Sequence, residues 1–408
     1  MQKKKCVIVG VGGRGTHSYV APIATGHLSD VCEMCGIYDA VLARAKIVSG
    51  MYGNIPVFED FDVMLDTVKP DFVIVTTKDA NHHEYIIRSL EAGYDVVSEK
   101  PMTNTRKKAL EIMEAEKRTG HTVRVTFNMR YMKPIEDLKR VIMSGVIGDV
   151  KHIDFQWLLD RRHGADYFRR WHRYLDNSTS LLIHKSTHHF DVINWLLEDE
   201  PVRVSAMATR SFFGNEAKRL GERCSTCPAV ATCESHRSIT AAHDEGLYFK
   251  AEHEDGYLRD RCAHREGTDI ADNLSVSVFY KKGTLLTYTL NLFSMKEGYH
   301  LTLVGERGMI VCHHYPGEGV HDGICEIELM QSEGKVEKIT FPEATGLHGG
   351  GDAKLLEMMF SEKEIPDSLG QSADSFAGVL SAMIGIGANE SIKSGKHIDL
   401  VPLIDSLR

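Results

Sequence analysis

Glycines near the start of the chain have the spacing of a phosphate-binding turn. The apolar run 6–9 leads directly into Gly10, and Gly12 and Gly15 complete a G-x-G-x-x-G pattern. Such glycines turn a strand tightly into a helix and let the backbone approach a pyrophosphate. Glycines also close ordinary strand–helix turns, so the motif alone leaves both roles open. The residues assigned to the pyrophosphate are Gly10, Gly12, Gly13, Arg14 and Gly15.

An acidic residue follows the second apolar run of the chain. Residues 31–38 read as a strand, and Asp39 comes directly after it. A carboxylate there accepts hydrogen bonds from the ribose hydroxyls of an adenosine and repels a 2′-phosphate, which favours NAD over NADP. The alternative role for Asp39 is to cap a helix over residues 40–49, and one carboxylate can do either.

Strands and helices alternate through the rest of this region. Strands are predicted at residues 56–58, 71–76, 94–98 and 123–127. The alternation predicts a doubly wound parallel sheet, in which ligands lie beyond the carboxyl ends of the strands. Thr76, Thr77 and His82 follow one strand, so we expect them to contact the dinucleotide; the alternative is that they cap the next helix.

The densest group of polar side chains lies at residues 167–191. His184, His188 and Asp191 have the spacing i, i+4 and i+7, which predicts that all three share one helical face. Such a face could hold a metal, and a histidine near a carboxylate can accept a hydroxyl proton. Taken in isolation, a buried histidine satisfied by Asp191 is the commoner arrangement.

The chain resembles the Gfo/Idh/MocA family, named for glucose-fructose oxidoreductase and inositol dehydrogenase. The resemblance rests on the glycine turn, Asp39, His82, Leu90-Glu91-Ala92-Gly93 and Glu99-Lys100-Pro101. It implies an NAD-binding domain with Glu99 and Lys100 at the cofactor, and a catalytic role for Lys100. A lysine before proline is held extended. Its ammonium beside a nicotinamide can hydrogen-bond a substrate hydroxyl and stabilise the alkoxide that forms there.

The resemblance also assigns roles within the polar group. His188 falls on the family's catalytic histidine, the general base, and Asp191 falls on the aspartate that follows it. His184, with Lys185 beside it, stands where the family commonly carries its first aspartate. We therefore expect the proton relay or the hydroxyl recognition to differ from that of inositol dehydrogenase.

Further candidates for substrate binding flank these residues. Asn128 and Arg130 border the substrate in the family, although a clamp between the two domains is an equal alternative. For Arg170 and His172 the alternative is a solvated loop or an interdomain ion pair. The complete set assigned to the substrate is Asn128, Arg130, Arg170, His172, His184, Lys185 and Asp191.

We predict two domains. Residues 1–128 form an α/β Rossmann domain with a parallel sheet, and residues 129–408 form an α+β domain with a large open, mainly antiparallel sheet, because alternating strands begin after Gly148. A helix over 372–394 is expected to pack back on the first domain. The insertion 212–265 is interpreted as a lid or edge loop over the second domain. The resemblance implies a homodimer or homotetramer formed through the outer face of the sheet.

Cysteines in the insertion form a candidate metal site. Cys224 and Cys227 have the spacing of a zinc knuckle, Cys233 follows, and Cys262 lies further on. Four thiolates suffice for a closed structural zinc site. Because the second half is not another close pair, packed thiols or a disulfide are the alternatives.

Composition excludes several classes of partner. The net charge of −9 argues against a nucleic acid or an anionic membrane surface. No apolar run approaches the roughly 20 residues that span a bilayer. The lysines at 3–5 lead directly into the first strand, unlike a signal peptide, so a cytoplasmic location is expected.

Three functions fit these observations. The leading one is an NAD-dependent oxidoreductase that moves a hydride between nicotinamide and a secondary alcohol or ketone of a sugar, glycoside or cyclitol. The second is a glycosidase-like enzyme that keeps its NAD, oxidises a ring carbon transiently, eliminates the aglycone and restores the alcohol. The third is a non-catalytic NAD sensor, against which Lys100 and His188 speak because cofactor binding alone needs neither.

Overall fold

The chain folds around two β-sheets. The structure is a computed structural model that describes residues 3–237, 246–315, 324–332, 334–340, 347–361 and 365–407. Residues 4–125 build the first sheet and residues 150–399 the second. A parallel α/β domain therefore precedes a domain with a larger sheet, as the order of elements predicts.

The first sheet is parallel throughout and has the strand order β2-β1-β3-β4-β5. Its strands are β1 (Lys4–Val9), β2 (Cys32–Tyr38), β3 (Phe72–Val75), β4 (Asp95–Ser98) and β5 (Val123–Val125). Helices cover both faces, so β3 is apolar and buried along its whole length. These helices are α1 (Gly13–Gly15), α2 (Ala21–Ala24), α3 (Leu42–Met51), α4 (Phe61–Val68), α5 (His82–Glu91) and α6 (Arg106–Thr119).

One predicted strand of this domain is wrong. Residues 56–58 do not join the sheet, and Val57 makes only an isolated bridge to Ile37. Pro56 has no N–H to donate, and its carbonyl accepts the N–H of Ile37 instead of continuing a ladder.

The second sheet is mixed and has the order β13-β12-β11-β10-β6-β9-β8-β7-β14. Its strands are β6 (Val150–Asp160), β7 (Pro201–Thr209), β8 (Asn273–Tyr280), β9 (Leu285–Ser294), β10 (Gly298–Gly305), β11 (Gly308–Tyr315), β12 (Ile324–Gln331), β13 (Val336–Thr340) and β14 (Ile398–Asp399). Strands β6 and β9 are parallel, and the other neighbours are antiparallel. Burial alternates along β8, as expected of a sheet with one face on a core. The predicted fold class is confirmed.

Helices pack on one face of this sheet and between the domains. They are α7 (Lys133–Met143), α8 (Arg161–Arg169), α9 (Leu175–Ser178), α10 (Leu181–His184), α11 (Thr187–Leu197), α12 (Glu252–Asp255), α13 (Gly351–Phe360), α14 (Ser375–Ser394) and α15 (Val401–Asp405). Among the described residues, none of the helices has the length and apolar character needed to cross a bilayer.

The long helix α14 lies between the two domains rather than on the first alone. A Cβ at Gly378 would approach Val125 of β5 to 3.0 Å, so the amino-terminal half contacts the first domain. A Cβ at Gly387 would approach Val204 of β7 to 2.8 Å, so the other half packs on the second sheet. The expected packing on the first domain therefore holds for the amino-terminal half only.

Candidate active site

The glycine turn is packed too closely for side chains. Gly10 follows β1 with φ of +91°, and a Cβ there would lie 2.8 Å from the carbonyl oxygen of Thr76. A Cβ at Gly15 would lie 2.3 Å from the carbonyl oxygen of Gly10. The Thr76 hydroxyl donates to that same Gly10 carbonyl. The turn and the end of β3 thus form one rigid edge of the sheet.

Asp39 connects the end of β2 to this turn. Its Oδ2 accepts the N–H of Val11 at 2.8 Å, and its Oδ1 accepts the N–H of Val41 at 2.8 Å. Arg44 forms an ion pair with the same carboxylate at 3.2 Å. Asp39 therefore lies at the carboxyl end of β2, fastened to the glycine turn and to the start of α3.

Arg14 and Glu99 lie side by side across the sheet edge. Arg14 donates from Nε to Glu99 at 2.7 Å, and its two terminal nitrogens bind Asp352 at 2.9 Å. Burial disfavours the charged form of Glu99, but Arg14 and Lys100 outweigh it and lower the pKa of this carboxyl. Asn128 donates to the same Asp352 at 2.7 Å. Asn128 is thereby joined to the predicted cofactor residues through α13.

Lys100 follows β4 and reaches into the second domain. Its Nζ donates to the backbone carbonyl of His184 at 3.1 Å. Burial lowers the pKa of the Lys100 ammonium, and the carboxyls of Asp79 and Glu99 oppose that shift. The peptide bond Lys100–Pro101 is cis.

The His82 side chain packs against the segment that carries Lys100 and hydrogen-bonds to its backbone. Its ring nitrogens lie 2.7 Å from the carbonyl oxygen of Pro101 and 3.0 Å from that of Thr77. The ring is 1% exposed. His82 thus joins the ends of β3 and β4 and positions Lys100.

His184 pairs with a carboxylate of the first domain. Its Nδ1 lies 2.7 Å from Oδ2 of Asp79, and the two side chains are 13% and 3% exposed. Burial raises the pKa of Asp79 to about 7, against the opposing effects of His82 and Lys100. Burial also lowers the pKa of His184, and Lys100 and Arg170 lower it further. The pair can therefore hold or release a proton near neutral pH.

Aromatic rings enclose His184 on the second-domain side. The His172 ring lies 4.1 Å from that of His184, and Trp171 stacks on His172 at 3.7 Å. The Tyr167 ring meets His184 at 5.7 Å. Burial lowers the pKa of His172, and the nearby His184 and Arg170 lower it further, so this imidazole is neutral. His172 and Arg170 thus lie close to His184 and Lys100.

The shared helical face predicted for His184, His188 and Asp191 is wrong. The helix is interrupted: α10 ends at His184, and α11 begins at Thr187. The N–H of Ser186 donates back to the carbonyl of Leu181, which closes α10 before the next helix starts. His184 and His188 therefore point from separate helices.

Arg130 and Asp191 form a buried ion pair with each other. Arg130 donates to the two carboxylate oxygens at 2.8 and 2.6 Å, and the side chains are 6% and 1% exposed. Arg130 also donates to backbone carbonyls, including that of Gln371 at 3.4 Å. Arg130 lies in the segment that leaves the first domain, so this geometry is close to the clamp that was the alternative for Arg130, with Asp191 of α11 as its partner.

Lys185 lies in the short break between α10 and α11, and His188 lies just after it. His188, in the first turn of α11, is buried with its ring 6.2 Å from that of Phe127. Lys185 points toward the sheet, with its ammonium 5.1 Å from the Trp157 ring centre. Burial lowers the pKa of Lys185 to about 8, with Glu297 opposing and Lys100 adding to the shift.

The insertion contacts both domains. Around Ser235 and Arg237 it packs on α8 of the second domain, and around Tyr248 and Glu254 it covers the glycine turn and α3 of the first. Tyr248 Oη accepts the N–H of Gly13 at 2.8 Å. Glu254 accepts the N–H groups of Leu42 and Ala43 at 2.6 and 2.8 Å, at the start of α3. The unpaired N–H groups of a helix N-terminus attract such a carboxylate. The insertion is therefore fastened to the turn and to the helix beside Asp39.

The cysteines do not support the predicted zinc site. Cys224, Cys227, Cys233 and Cys262 line one cavity of about 30 Å³. Arg169 donates to the Cys224 sulfur at 3.3 Å, and this cation opposes a second positive charge there. Within the ranges that the structure describes, no three His, Cys, Asp or Glu side chains are arranged to hold a metal ion.

Two contributors were missed by sequence reasoning. Asp79 lies in the loop after β3, between Thr77 and His82, so the rule that ligands meet strand ends could have found it. Tyr248 lies in an insertion with no periodic pattern, and no signal in the sequence connects it to Gly13. Its neighbour Glu254 is equally distant along the chain.

Comparison with known proteins identifies the family. Residues 4–127 match the description "Oxidoreductase family, NAD-binding Rossmann fold", and residues 139–400 match "Oxidoreductase family, C-terminal alpha/beta domain". The chain belongs to the Gfo/Idh/MocA oxidoreductase family. The resemblance inferred from Glu99-Lys100-Pro101 and the glycine turn is confirmed, and so is the NAD-binding Rossmann domain.

Relatives of this oxidoreductase carry a range of names. The chain is 32% identical over 430 residues to YteT of Bacillus subtilis (strain 168), which is named as an oxidoreductase, and the match covers 98% of each chain. It is 34% identical over 175 residues to an inositol 2-dehydrogenase of Gluconacetobacter diazotrophicus, covering 42% of this chain and 47% of that one. The crystal structure of the WlbA dehydrogenase from Bordetella pertussis with NADH and UDP-GlcNAcA is similar in fold, with a TM-score of 0.67, 15% identity, and coverage of 98% and 99%.

Proposed function

We propose that the protein is an NAD-dependent oxidoreductase that transfers a hydride between the nicotinamide and a secondary alcohol or ketone of a sugar, glycoside or cyclitol. One observation carries the proposal. Lys100 of the first domain meets His184 of the second, and Asp79 joins the pair at hydrogen-bond distance. A cation and a proton-holding pair thus converge at the sheet edge where the cofactor's reactive end is expected.

The residues at this edge fit a dinucleotide. At Gly10 and Gly15 a side chain would collide with neighbouring backbone, so the turn is built from glycines, and a glycine turn of this kind lets the backbone approach a pyrophosphate. When bound, NAD supplies the hydride acceptor, and the protein supplies binding and orientation. NAD is favoured over NADP because Glu254 occupies the start of α3 beside Asp39, where a 2′-phosphate would meet two carboxylates.

The chain's own residues handle the hydroxyl proton. Lys100 donates a hydrogen bond to the oxygen of the reacting alcohol. It stabilises the negative charge on that oxygen as the hydride leaves the carbon to which the oxygen is bound. His188, at the family's catalytic position, accepts the proton. Ionised Asp79 keeps the Lys100 ammonium charged, because its carboxylate opposes the effect of burial on that lysine. The oxidation is therefore expected to speed up as the pH rises through about 7, where Asp79 ionises.

A second candidate is the glycosidase-like reaction with retained NAD. The bond from Gly13 to Tyr248 favours it, because the insertion would have to move for the cofactor to leave. The same Lys100 and His188 would perform the first oxidation, and the aglycone would then be eliminated before the alcohol is restored. The two candidates differ in whether reduced cofactor accumulates.

A panel of sugars, glycosides and inositols tests the proposal. Each compound is incubated with NAD, NADH is followed by its absorbance, and each product is checked for glycoside cleavage. Stoichiometric NADH supports the dehydrogenase, and cleavage without net NADH supports the second candidate. Product formation that persists in Lys100→Met would contradict both.

A further inference from the structure

A cavity beside His184 is lined by an unusual number of cations. It has a volume of about 170 Å³. The positive side chains on its wall are Lys78, Arg169, Arg170, Arg261 and Arg265. In a chain whose net charge is −9, such a cluster is not a general property of the surface. It calls for a local explanation.

Carboxylates of the protein do not neutralise this wall. Of the five cations only Arg169 has a carboxylate oxygen within 4.0 Å among the described residues. That carboxylate, Asp166, also pairs with Arg237 and Arg259, each at 2.9 Å. One carboxylate is therefore shared by three guanidinium groups, of which only Arg169 lines the cavity.

The positive charges around the cavity also affect the pKa of a neighbouring arginine, Arg173. Burial lowers the pKa of Arg173 to about 10, and Arg265 and Arg261 lower it further. Arg265 donates one long hydrogen bond to the Tyr174 hydroxyl, at 3.5 Å. Unneutralised guanidinium groups on a concave wall provide donors in the fork that matches carboxylate and phosphate oxygens.

The cavity adjoins the proposed reaction centre. Lys78 precedes Asp79 in the chain, and Arg170 is near enough to Lys100 and His184 to lower the pKa of both, after burial. Trp171 forms part of the wall and stacks on His172, which contacts His184. Tyr174 and Tyr257 also line the wall. Aromatic faces of this kind pack against the apolar faces of sugar rings.

We infer that this cavity binds an anionic group of the substrate, so that the enzyme acts on acidic sugars, with Arg170, Arg261 and Arg265 holding a carboxylate or phosphate beside Lys100. The inference rests on the proposed function and narrows its substrate class. A uronic acid and a sugar phosphate present the same anionic chemistry to these arginines. The two are separated by experiment.

Matched substrates test the inference. Methyl glycosides of glucose, galactose and mannose are each compared with their 6-carboxylate and 6-phosphate forms in the presence of NAD. We expect one anionic form to exceed its neutral partner in kcat/KM by about tenfold or more, the effect of a charged hydrogen bond. Preference for the carboxylate identifies uronic acids, and preference for the phosphate identifies sugar phosphates. A neutral partner turned over as well as both anions would overturn the inference.

Variants locate the effect in the cavity. Arg261→Gln and Arg265→Gln should each raise KM for the anionic form about tenfold and leave kcat and the neutral form nearly unchanged. Arg219→Gln is the matched control, since Arg219 lies in the same insertion and pairs with Glu216 at 2.6 Å. Equal losses for neutral and anionic forms would count against the assignment.

Binding without turnover separates this inference from the proposed function. Glucuronate, glucose 6-phosphate and glucose are titrated calorimetrically into the NAD-loaded protein and into Arg261→Gln. Anion binding that weakens about tenfold in the variant, with no turnover of any sugar, would support the cavity and contradict the proposed function. Absence of anion binding by the wild-type protein would overturn the cavity assignment whatever the variants do.

Discussion

Two buried ion pairs hold distant segments of the chain together, and they differ in what their protons can do. Arg130 and Asp191 form a two-point guanidinium–carboxylate pair. Asp79 and His184 form an imidazole–carboxylate pair of similar length, 2.7 Å. Burial opposes the charge of Arg130, but Asp191 outweighs it and raises its pKa, so this charge stays fixed. In the other pair the pKa of Asp79 lies at about 7.

The difference indicates that the Arg130–Asp191 pair is structural, whereas the Asp79–His184 pair can take part in proton transfer. A two-point guanidinium–carboxylate pair gives geometric specificity between two surfaces. An imidazole–carboxylate pair beside Lys100 changes its charge in the physiological range. The chain therefore has one pair that fastens the segment after β5 to α11 and one that is placed to respond to the reaction.

The largest expected effect is on stability, at the fixed pair. Asp191→Leu leaves the buried Arg130 without its counter-ion, and removal of one partner of such a pair costs about 3–5 kcal/mol. Urea unfolding should show this loss. The double variant Arg130→Met, Asp191→Leu removes both charges and should recover most of it. A single variant as stable as the wild type would show that this pair does not hold these segments together.

The next largest effect is on catalysis, at Lys100. Lys100→Met removes the donor to the reacting oxygen and should lower kcat by about 10²–10³-fold. NAD binding, followed by fluorescence quenching, should be nearly unchanged. As a control, Lys107→Met changes an exposed lysine of α6 and should leave kcat within about twofold of wild type. A Lys100→Met variant with normal kcat would contradict the assignment of the centre.

Asp79 should produce a smaller effect that depends on pH. Asp79→Asn removes the ionisation near pH 7, so the rise of kcat/KM through that pH should flatten, with a loss of about tenfold above it. Stability provides the sign. Folding raises the pKa of Asp79 from 3.8 to about 7, so between these pH values the folded state binds a proton that the unfolded state has lost. The contribution of Asp79 to the free energy of unfolding therefore falls as the pH rises from about 4 to about 7. The variant should lack that decline, which urea unfolding at several pH values measures. An unchanged pH profile of both quantities would place the proton elsewhere.

The parallel sheet could be predicted from the sequence because strands alternate with helices along the chain, and most strands of the second sheet could be predicted because burial alternates along them. The glycine turn, Asp39 and Lys100 were predictable for a related reason, since strand ends meet at one edge. The partners of His184 and Asp191 were not. An interruption between α10 and α11 turns these residues in different directions, and helical spacing predicts only an uninterrupted helix.

The insertion shows the same limit at longer range. Tyr248 is separated from Gly13 by 235 positions, and no local pattern links a loop tyrosine to a distant backbone N–H. The cysteine spacing suggested a metal, but the presence of Arg169 beside Cys224 depends on tertiary packing. Local patterns therefore predict elements better than they predict contacts between elements.

The smallest expected effect is on cofactor release. Tyr248→Phe removes one hydrogen bond to Gly13, which is worth about 1 kcal/mol, so NADH should dissociate about fivefold faster in stopped-flow fluorescence. Tyr52→Phe, on a tyrosine at the end of α3, is the control and should leave the rate unchanged. An unchanged rate in Tyr248→Phe would show that the insertion does not retain the cofactor, and would remove the support for the second candidate function.

Transfer of deuterium tests the central claim most directly. Methyl glycosides and their 6-carboxylates, deuterated at the ring carbinol carbons, are mixed with NAD and excess enzyme, quenched within a single turnover, and the cofactor is analysed by mass spectrometry. We expect deuterium in the reduced nicotinamide with the wild-type enzyme and none with Lys100→Met, whether or not the cofactor later returns it. Product formed while the nicotinamide stays unlabelled would contradict hydride transfer at the Lys100 centre.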